Sequence, residues 1–373
     1  MKFRNIFFLL LIFGVLWYIY ADHYKQDGVT GVWNGMKQDF YDIRDSEFFH
    51  TSMEYANDSI GRISNFISDQ ISKDEKNPVA PKPELQTPLE QTFSIHNIEI
   101  AEEKADVESN LPENTRITAN EYNRDWHTYH EHYQNFVMVA YDAEDKVSGL
   151  FTNQDLLSSK DGITLSNTKQ EVREMYGEPI QSIQKGMTRY RLNENEEQDT
   201  FKVDGNYVTF FYDKHQGEQI AAIQIISEEM EAEKKSYYGE TNAEIAQGFE
   251  YQLFDLTNAA RAKFDKRILD WYEPAQSTAR NHSLDMASHN YFSHDNLEGL
   301  SPFDRLTNDG ISYRAAGENL AMGQSSSIYA HQGLMNSENH RKNILHDDFR
   351  LMAVGVAQHE DGQPYYTEAY LTQ

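Results

Sequence analysis

The chain contains no cysteine among its 373 residues, and this absence restricts how it can fold. Disulfide bridges, thiolate metal ligands and cysteine nucleophiles are excluded, so packing and hydrogen bonds alone must hold the structure together. Hydrophobic residues make up 39% of the chain, and 23 Tyr and 20 Phe supply the bulk that a packed core needs. The length predicts one or two domains with accessory segments.

The formal net charge of −27 at pH 7 limits the partners that the surface can attract. Phosphate groups would be repelled, so we expect neither nucleic acid nor another anionic surface as a partner. Dispersed acidic side chains mainly favour solubility, and attraction of cations is their second expected role.

The N-terminal segment predicts export from the cell. Lys2 and Arg4 precede an apolar run over Ile6–Tyr20, and a helix over residues 3–21 would span about 28 Å, enough for a bilayer core. The positive charges before the run place the rest of the chain outside the cytoplasm. We predict an uncleaved signal anchor over residues 1–21, which makes the protein a single-pass cell-membrane protein. A cleaved signal peptide with secretion is the alternative, although no A-x-A cleavage site follows the run.

The composition of residues 22–112 predicts a stalk rather than a domain. Isoleucines at helical spacing (residues 60, 63, 67 and 71) indicate one amphipathic helix near the membrane. The segment 73–92 carries four of the nine prolines among charged residues. Such a composition cannot bury a core, so we expect an extended, semi-rigid spacer.

Residues 113–240 predict a small α+β domain. Two strand pairs are expected, over residues 136–141 with 146–151 and over residues 207–212 with 220–226. Between these pairs, an N-cap within residues 166–168 starts a helix that ends at Gly177.

Among the histidines before the best candidate site, five fall into two groups along the chain. His127, His130 and His132 lie within six residues of one another. They suit a weak metal-binding tract, but we favour solvated loop histidines. Further along, His282 falls on a helical stripe of small residues and is expected to be a packed core histidine, whereas His289 is expected to be solvated.

The segment 291–345 contains the residues that best indicate a functional site. His294, Glu318 and His340 combine two imidazoles with one carboxylate, a set that suits either a divalent metal ion or acid–base chemistry. Gly, Ser and Pro residues separate the three positions, so only a tertiary fold could bring them together. The fold, and not a local motif, would therefore create the site.

The motifs around these residues resemble a known family. In chain order they are LFDLTNAARAKF, SHD, SPFDRL, AGENLAMG and NSENHRKNIL. At this spacing they resemble the bacterial form of the CAP superfamily (cysteine-rich secretory proteins, antigen 5 and pathogenesis-related 1), also called the SCP-like extracellular domain. The resemblance covers roughly residues 248–373. Residues 113–240 resemble the CAP-associated N-terminal domain of Firmicutes, through T-x-x-E-V-x-x-x-Y-G-x-P and a following hairpin.

The resemblance implies an α+β protein. A CAP α-β-α sandwich over residues 245–373, with helices flanking a small antiparallel sheet, would follow a smaller α+β domain built on a repeated β-hairpin. Asn258 and Arg261 match family positions that brace the fold, and we interpret them as structural. Glu368, where Gln is usual in the family, would add a carboxylate near the cleft.

The family's cleft is lined by two His and two Glu. By the motif match, His294, Glu318 and His340 are three of these four residues. Ser337 stands where the fourth residue is usual, and Glu338 beside it is the candidate substitute.

Sequence motifs of common hydrolases and NTPases are missing from the chain, namely G-x-S-x-G, H-E-x-x-H and the P-loop. Ser293 beside His294 has no accompanying sign of an oxyanion hole. We therefore favour a membrane-tethered binding or signalling module at the cell surface. Its cleft would hold a divalent cation, a small ligand, a lipid or a peptide.

Two alternatives belong to other functional classes. One is a Zn²⁺-dependent hydrolase of peptide or cell-wall substrates, with the metal on His294 and His340 and with Glu318 as a ligand or general base. The other is a mainly structural, stalked surface protein. Zn²⁺ or another divalent cation is the only cofactor that these hypotheses require.

Overall fold

The computed structural model describes residues 78–192 and 196–373. The predicted signal anchor and the predicted isoleucine-spaced helix lie outside these residues. Across the two described ranges, no helix combines the length and the apolar composition that a bilayer span needs.

The first domain is built on a seven-stranded antiparallel sheet. Its elements are, in chain order, β1 (Phe93–Ile95), α1 (Lys104–Asn110), β2 (Arg116–Ala119), β3 (Asp125–Glu131), β4 (Gln134–Tyr141), β5 (Val147–Thr152), β6 (Leu157–Ser159), α2 (Lys169–Tyr176), β7 (Ser182–Lys185), β8 (Thr188–Arg191), β9 (Gln198–Val203), β10 (Asn206–Asp213), β11 (Gln219–Ile226) and α3 (Glu228–Glu233). The seven strands follow the order β2-β3-β4-β5-β11-β10-β9. Two antiparallel meanders, β2–β5 and β9–β11, are therefore joined by the pair of β5 and β11.

Both faces of this sheet are buried. In β4, Val137 and Val139 belong to one hydrophobic cluster and Phe136 and Met138 to another, as the alternation of a strand requires. All four side chains are fully buried. The predicted strand pairs are confirmed, because β4 pairs with β5 and β10 pairs with β11.

The predicted capped helix is α2, which begins after Thr168. Thr168 and Glu171 form a capping box, in which the Thr168 hydroxyl accepts from the Glu171 amide at 3.4 Å and the Glu171 carboxylate accepts from the Thr168 amide at 2.7 Å. Gly177 ends the helix with a φ of 77°, a conformation that glycine adopts without strain. Both ends of α2 are thus set by local sequence.

The first domain begins earlier in the chain than expected. Residues 93–111, assigned to the stalk from the sequence, pack into the domain instead, with Phe93, Ile95 and Val107 buried in the core. Strand β1 pairs with β6, which closes this segment onto the sheet. The proline-rich composition that suggested a spacer ends at Pro88, and the apolar residues after it cover one face of the sheet.

Two of the three histidines expected in a solvated loop lie on strand β3, so that prediction is wrong for them. His127 is 8% exposed, and His130 stacks on the Tyr133 ring with 4.1 Å between the ring centroids. Burial lowers the pKa of His130 to about 4, so this ring is neutral at neutral pH. The pairing of β3 with β2 and β4 encloses both rings, while His132 in the following turn is exposed.

The second domain contains a four-stranded sheet with helices on both faces. Its elements are, in chain order, α4 (Ala243–Lys263), β12 (Asp270–Trp271), α5 (Glu273–His289), α6 (Pro302–Asn308), β13 (Ala315–Met322), α7 (Ser327–Asn336), α8 (Glu338–Ile344), β14 (Leu351–Gln358) and β15 (Pro364–Thr372). The strand order β12-β14-β15-β13 makes β13 an edge strand. In β14, Val354 packs with Leu253 of α4, whereas Ala353 packs with Ala275 of α5. Neighbouring residues of one strand thus face different helices, which is the α-β-α layering expected from the sequence.

Helix α5 lies directly on the sheet at Gly355 of β14. A β-carbon at this position would lie 2.0 Å from the Arg280 amide nitrogen, so only glycine permits the contact. Ser283 of the same helix donates a hydrogen bond to the Gly355 carbonyl oxygen at 2.8 Å. These contacts fix the helix that leads into the loop of His294.

The two domains share a hydrophobic cluster and belong to one compact unit. In this cluster, Trp126 and Phe136 of the first domain pack with Leu256 of α4 and Ile328 of α7. The second domain therefore covers the face of the seven-stranded sheet that the first domain leaves open.

Polar contacts extend this interface to α8. Arg341 Nη2 lies 2.9 Å from Asp213 Oδ2 at the end of β10, and both side chains are largely buried. Asn336 at the end of α7 donates a hydrogen bond to the Tyr212 carbonyl oxygen at 2.9 Å. The first domain therefore contacts the segment that carries His340.

Substitution of Gly355 tests how closely α5 must approach the sheet. We expect Gly355→Ala to lower the free energy of unfolding by about 3 kcal/mol or more, because the added methyl group meets backbone atoms that cannot move aside. Gly333→Ala is the matched control, since Gly333 is helical and a β-carbon there meets nothing within 4 Å. Gly333→Ala should raise the free energy of unfolding by about 0.8 kcal/mol. Urea unfolding measures both, and equal effects would contradict the close contact.

Candidate functional site

Edge strand β13 carries Glu318, whose side chain is 7% exposed. His294 lies in the loop after α5, and its Nδ1 atom is 2.8 Å from Glu318 Oε1. The His294 side chain is 53% exposed, so its ring covers the carboxylate and also faces solvent. The structure thus brings together two of the residues predicted for the site.

Arg305 of α6 completes the surroundings of Glu318 and was not singled out from the sequence. Its Nη2 donates to Glu318 Oε2 at 2.6 Å, and its Nη1 donates to the carbonyl oxygens of His294 at 2.6 Å and Leu300 at 3.0 Å. One guanidinium therefore holds both the carboxylate and the loop of His294. The signal was present in the S-P-F-D-R-L motif, where the capping box at Ser301 fixes α6 and thereby Arg305.

His340 lies on α8 beside this pair. Burial lowers the pKa of the His340 imidazole, and the charge of the nearby His294 lowers it further, so His340 is neutral at neutral pH. Asn319 Nδ2 donates to the His340 carbonyl oxygen at 3.2 Å, and Asn343 Nδ2 donates to the Glu318 carbonyl oxygen at 3.3 Å. These two amides, which the sequence analysis did not single out, fix α8 against β13.

Glu338 is not brought to the other three residues. It is the first residue of α8, its side chain is 73% exposed, and its carboxylate lies 2.9 Å from Lys342 Nζ one helical turn later. Residues two positions apart on a helix point to nearly opposite sides, so Glu338 faces away from the side of His340. Ser337 connects α7 and α8, and its side chain makes no capping hydrogen bond.

The buried carboxylate of Glu368 lies under the site and not in the cleft. On β15 it pairs across the ladder with Asn319, whose side chain points to the opposite face of the sheet from that of Glu318. Glu368 Oε2 accepts from Asn319 Nδ2 at 3.0 Å and from the Tyr370 hydroxyl at 2.7 Å. Among the described residues Oε1 has no hydrogen-bond partner, and burial raises the pKa of Glu368 to about 7.

The residues interpreted as structural have that role. Asn258 exchanges hydrogen bonds with the backbone of Leu269 at 2.7 and 3.0 Å. Arg261 is fully buried, and its Nη1 donates to the carbonyl oxygens of Ile344 at 2.7 Å and His346 at 3.0 Å. These carbonyl groups lie at and beyond the C-terminal end of α8, where a helix leaves them without internal partners.

As it is arranged, the cluster of His294, Glu318 and His340 is not a preformed three-ligand metal site. In the part of the chain that the structure describes, no group of three or more His, Asp and Glu side chains is placed to hold a metal. Both oxygens of Glu318 have partners, and one of these is the Arg305 guanidinium, whose positive charge would repel a cation at that position. The expected metal ligation by His294, Glu318 and His340 stays a prediction.

The buried Glu368 predicts a specific pH dependence of stability. Its folded-state pKa of about 7 lies above the usual value of 4.5, so the native state binds this proton more tightly than the unfolded state. Its contribution to stability is complete below pH 4.5 and is lost as the pH rises through 7. Glu368→Gln removes this titrating group. Between pH 4.5 and 8 the free energy of unfolding of the wild type should therefore fall by about 3 kcal/mol relative to that of the variant.

Urea unfolding of both proteins across this pH range measures the difference. The paired comparison is needed because burial also raises the pKa of Glu121 to about 7, which affects both proteins alike. A difference that stays constant with pH would show that Glu368 does not titrate there.

Comparisons with known proteins match both domains. Residues 100–237 match the family model described as CAP-associated N-terminal, and residues 254–370 match the one described as the cysteine-rich secretory protein family. The chain is 28% identical over 284 residues to an uncharacterized membrane protein, YlbC, of Bacillus subtilis, which covers 71% of this chain and 80% of that protein. It is 42% identical over 110 residues to YkwD of the same organism, which covers 30% of this chain and 43% of that protein.

Solved structures show the same architecture. An extracellular protein containing a SCP domain from Bacillus anthracis superposes with a TM-score of 0.63 at 25% identity, covering 80% of this chain and 99% of that one. A cysteine-rich secretory protein from Staphylococcus aureus shares the fold with a TM-score of 0.56 at 16% identity, over 74% of this chain and 91% of that one. The resemblance seen in the motifs is confirmed for both domains: residues 254–370 form a CAP domain, and a CAP-associated N-terminal domain precedes it over residues 100–237.

Proposed function

We propose that this protein is a membrane-tethered binding module outside the cell, whose CAP cleft takes a ligand at His294 and His340. The apolar N-terminal run supports the tether. Two comparisons agree with this location, because YlbC is named a membrane protein and the Bacillus anthracis structure is that of an extracellular protein.

The proposal rests on the two side-chain contacts of the Glu318 carboxylate. Its two oxygens are held by Arg305 and His294, so the carboxylate serves as an anchor for the His294 ring. Each oxygen of Glu318 accepts one hydrogen bond from a protein group and keeps a second lone pair, so the contacts in the structure use the carboxylate to hold its neighbours. This arrangement favours binding over hydrolysis.

The two imidazoles supply the recognition groups. Because Nδ1 of His294 faces the Glu318 carboxylate, Nε2 is the ring nitrogen left for a ligand. His340 is neutral at neutral pH and can donate from one ring nitrogen and accept at the other. Together with the rigid anchor, these groups suit polar recognition of a small ligand, a lipid headgroup or a peptide backbone.

Ligand binding at the cleft should depend on His294 and not on a histidine elsewhere in the CAP domain. We expect a ligand from a panel of muropeptides, short peptides and lipids to raise the melting temperature of the full chain. His294→Gln should weaken that ligand about ten-fold, since it removes one ring and its anchored hydrogen bond. His359→Gln is the matched control, because His359 follows β14, pairs with Asp361 and lines neither this cluster nor the cleft beside α5.

A calorimetric Zn²⁺ titration of the full chain separates the proposal from the hydrolase alternative. Micromolar Zn²⁺ binding that is lost in both His294→Ala and His340→Ala, together with turnover of a peptide substrate, would replace the binding module with a metal-dependent hydrolase. Ligand binding that His294→Gln leaves unchanged would show that the ligand does not bind at His294 and would contradict the proposal.

A further inference from the structure

We propose that a second cleft beside the His294–Glu318 pair binds a basic side chain of a peptide, with an apolar peptide residue next to it. This cleft has a volume of about 360 Å³ and lies between α5, the loop over residues 296–298 and α6. A volume of this size accommodates one or two peptide side chains. The inference extends the proposed function by naming a class of ligand, and it rests on a different set of residues.

Charge is the first reason for a basic ligand. Asp285 of α5 and Glu298 of the loop both line the cleft. Asp285 accepts hydrogen bonds from the Tyr291 hydroxyl and from His289, and among the described residues no lysine or arginine pairs with Glu298. Two carboxylates therefore face the same cleft without a cationic side chain to neutralise them, in a protein of net charge −27.

The one arginine of the cleft does not offset these charges. Arg305 also lines it, but its Nη2 lies 2.6 Å from Glu318 Oε2 and its Nη1 donates to two backbone carbonyl oxygens. Its positive charge is thus paired within the neighbouring cluster, and the cleft keeps its preference for a cation.

A buried acceptor without a partner is the second and independent reason. His282 lines the cleft and is 2% exposed, which confirms the expectation of a packed histidine. Its Nε2 lies 3.0 Å from the Ser293 carbonyl oxygen, so Nε2 carries the hydrogen and Nδ1 is a bare acceptor. Nδ1 has no hydrogen-bond partner among the described residues. The atom is shielded from solvent, and a ligand N–H that reaches it from the cleft would compensate its desolvation.

Apolar side chains beside the cleft favour a peptide over a free amine. Leu297 lines the cleft and is 63% exposed, and Leu284, one helical turn after Asn281 on α5, is 55% exposed. A lone exposed leucine is ordinary, but Leu297 precedes Glu298 and Leu284 precedes Asp285 directly in the chain. A lysine or arginine with an apolar neighbour in the same peptide would cover both features.

Calorimetry of the full chain with two tripeptides tests the proposal. Acetyl-Leu-Lys-Leu-amide carries the cation, and acetyl-Leu-norleucine-Leu-amide is its uncharged match. We expect the lysine peptide to bind about ten-fold more tightly, and n-butylamine to bind far more weakly than the lysine peptide. Equal affinities of the two peptides, or no binding of either, would overturn the proposal. Equal affinity of n-butylamine and the lysine peptide would overturn the assignment to a peptide.

Matched variants assign the effect to the cleft. Glu298→Gln should reduce the preference for lysine about three-fold or more, whereas Glu360→Gln should leave it unchanged. Both glutamates are exposed in loops of the CAP domain, and only Glu298 lines the cleft. Equal effects of the two variants would show that net charge alone attracts the peptide, which contradicts a built subsite.

The same titrations distinguish this proposal from the proposed function. His294→Gln should retain the preference for lysine over norleucine, because His294 does not line the second cleft. If the preference persists while every ligand of the panel proves insensitive to His294, the proposed function fails and this inference stands. If a His294-dependent ligand is found and no preference for lysine exists, this inference alone fails.

Discussion

The site depends on a helix that is too short to hold itself in place. Helix α8 has seven residues, and isolated helices of that length are not stable in water. It is held from three directions: Arg261 binds the carbonyl groups at its end, Asn343 bonds to β13, and Asp213 of the first domain pairs with Arg341. Because His340 precedes Arg341 directly, every one of these contacts positions its ring.

The two domains therefore act as one structural unit at the site. Leu256 and Ile328 of the CAP domain complete a hydrophobic cluster with Trp126 of the first domain, and Ile328 lies on α7, the helix directly before α8. A CAP-associated domain in this arrangement is part of the support for α8.

Electrostatic pairing decides the chemistry that the cleft can offer. Glu318 lies between Arg305 and His294, and its carboxylate holds both neighbours in position through hydrogen bonds. Next to it, Asp285 and Glu298 line a cleft whose arginine, Arg305, is paired with Glu318. The same small region thus combines a paired carboxylate at Glu318 with two carboxylates that have no arginine or lysine partner among the described residues, and the two proposals rest on this difference.

Local signals in the sequence determined the strand pairs β4–β5 and β10–β11, the capped start of α2 at Thr168 and the family motifs, because these features follow from residue order and motif spacing. Only the tertiary structure decided which side chains face which neighbours. It placed Arg305 on Glu318, turned Glu338 toward Lys342, buried Glu368 under the sheet and drew β1 out of the expected stalk into the core. Such outcomes depend on contacts between residues far apart in the chain. Once packing has fixed an element, the alternation of a strand and the rotation of a helix determine the face on which each side chain lies.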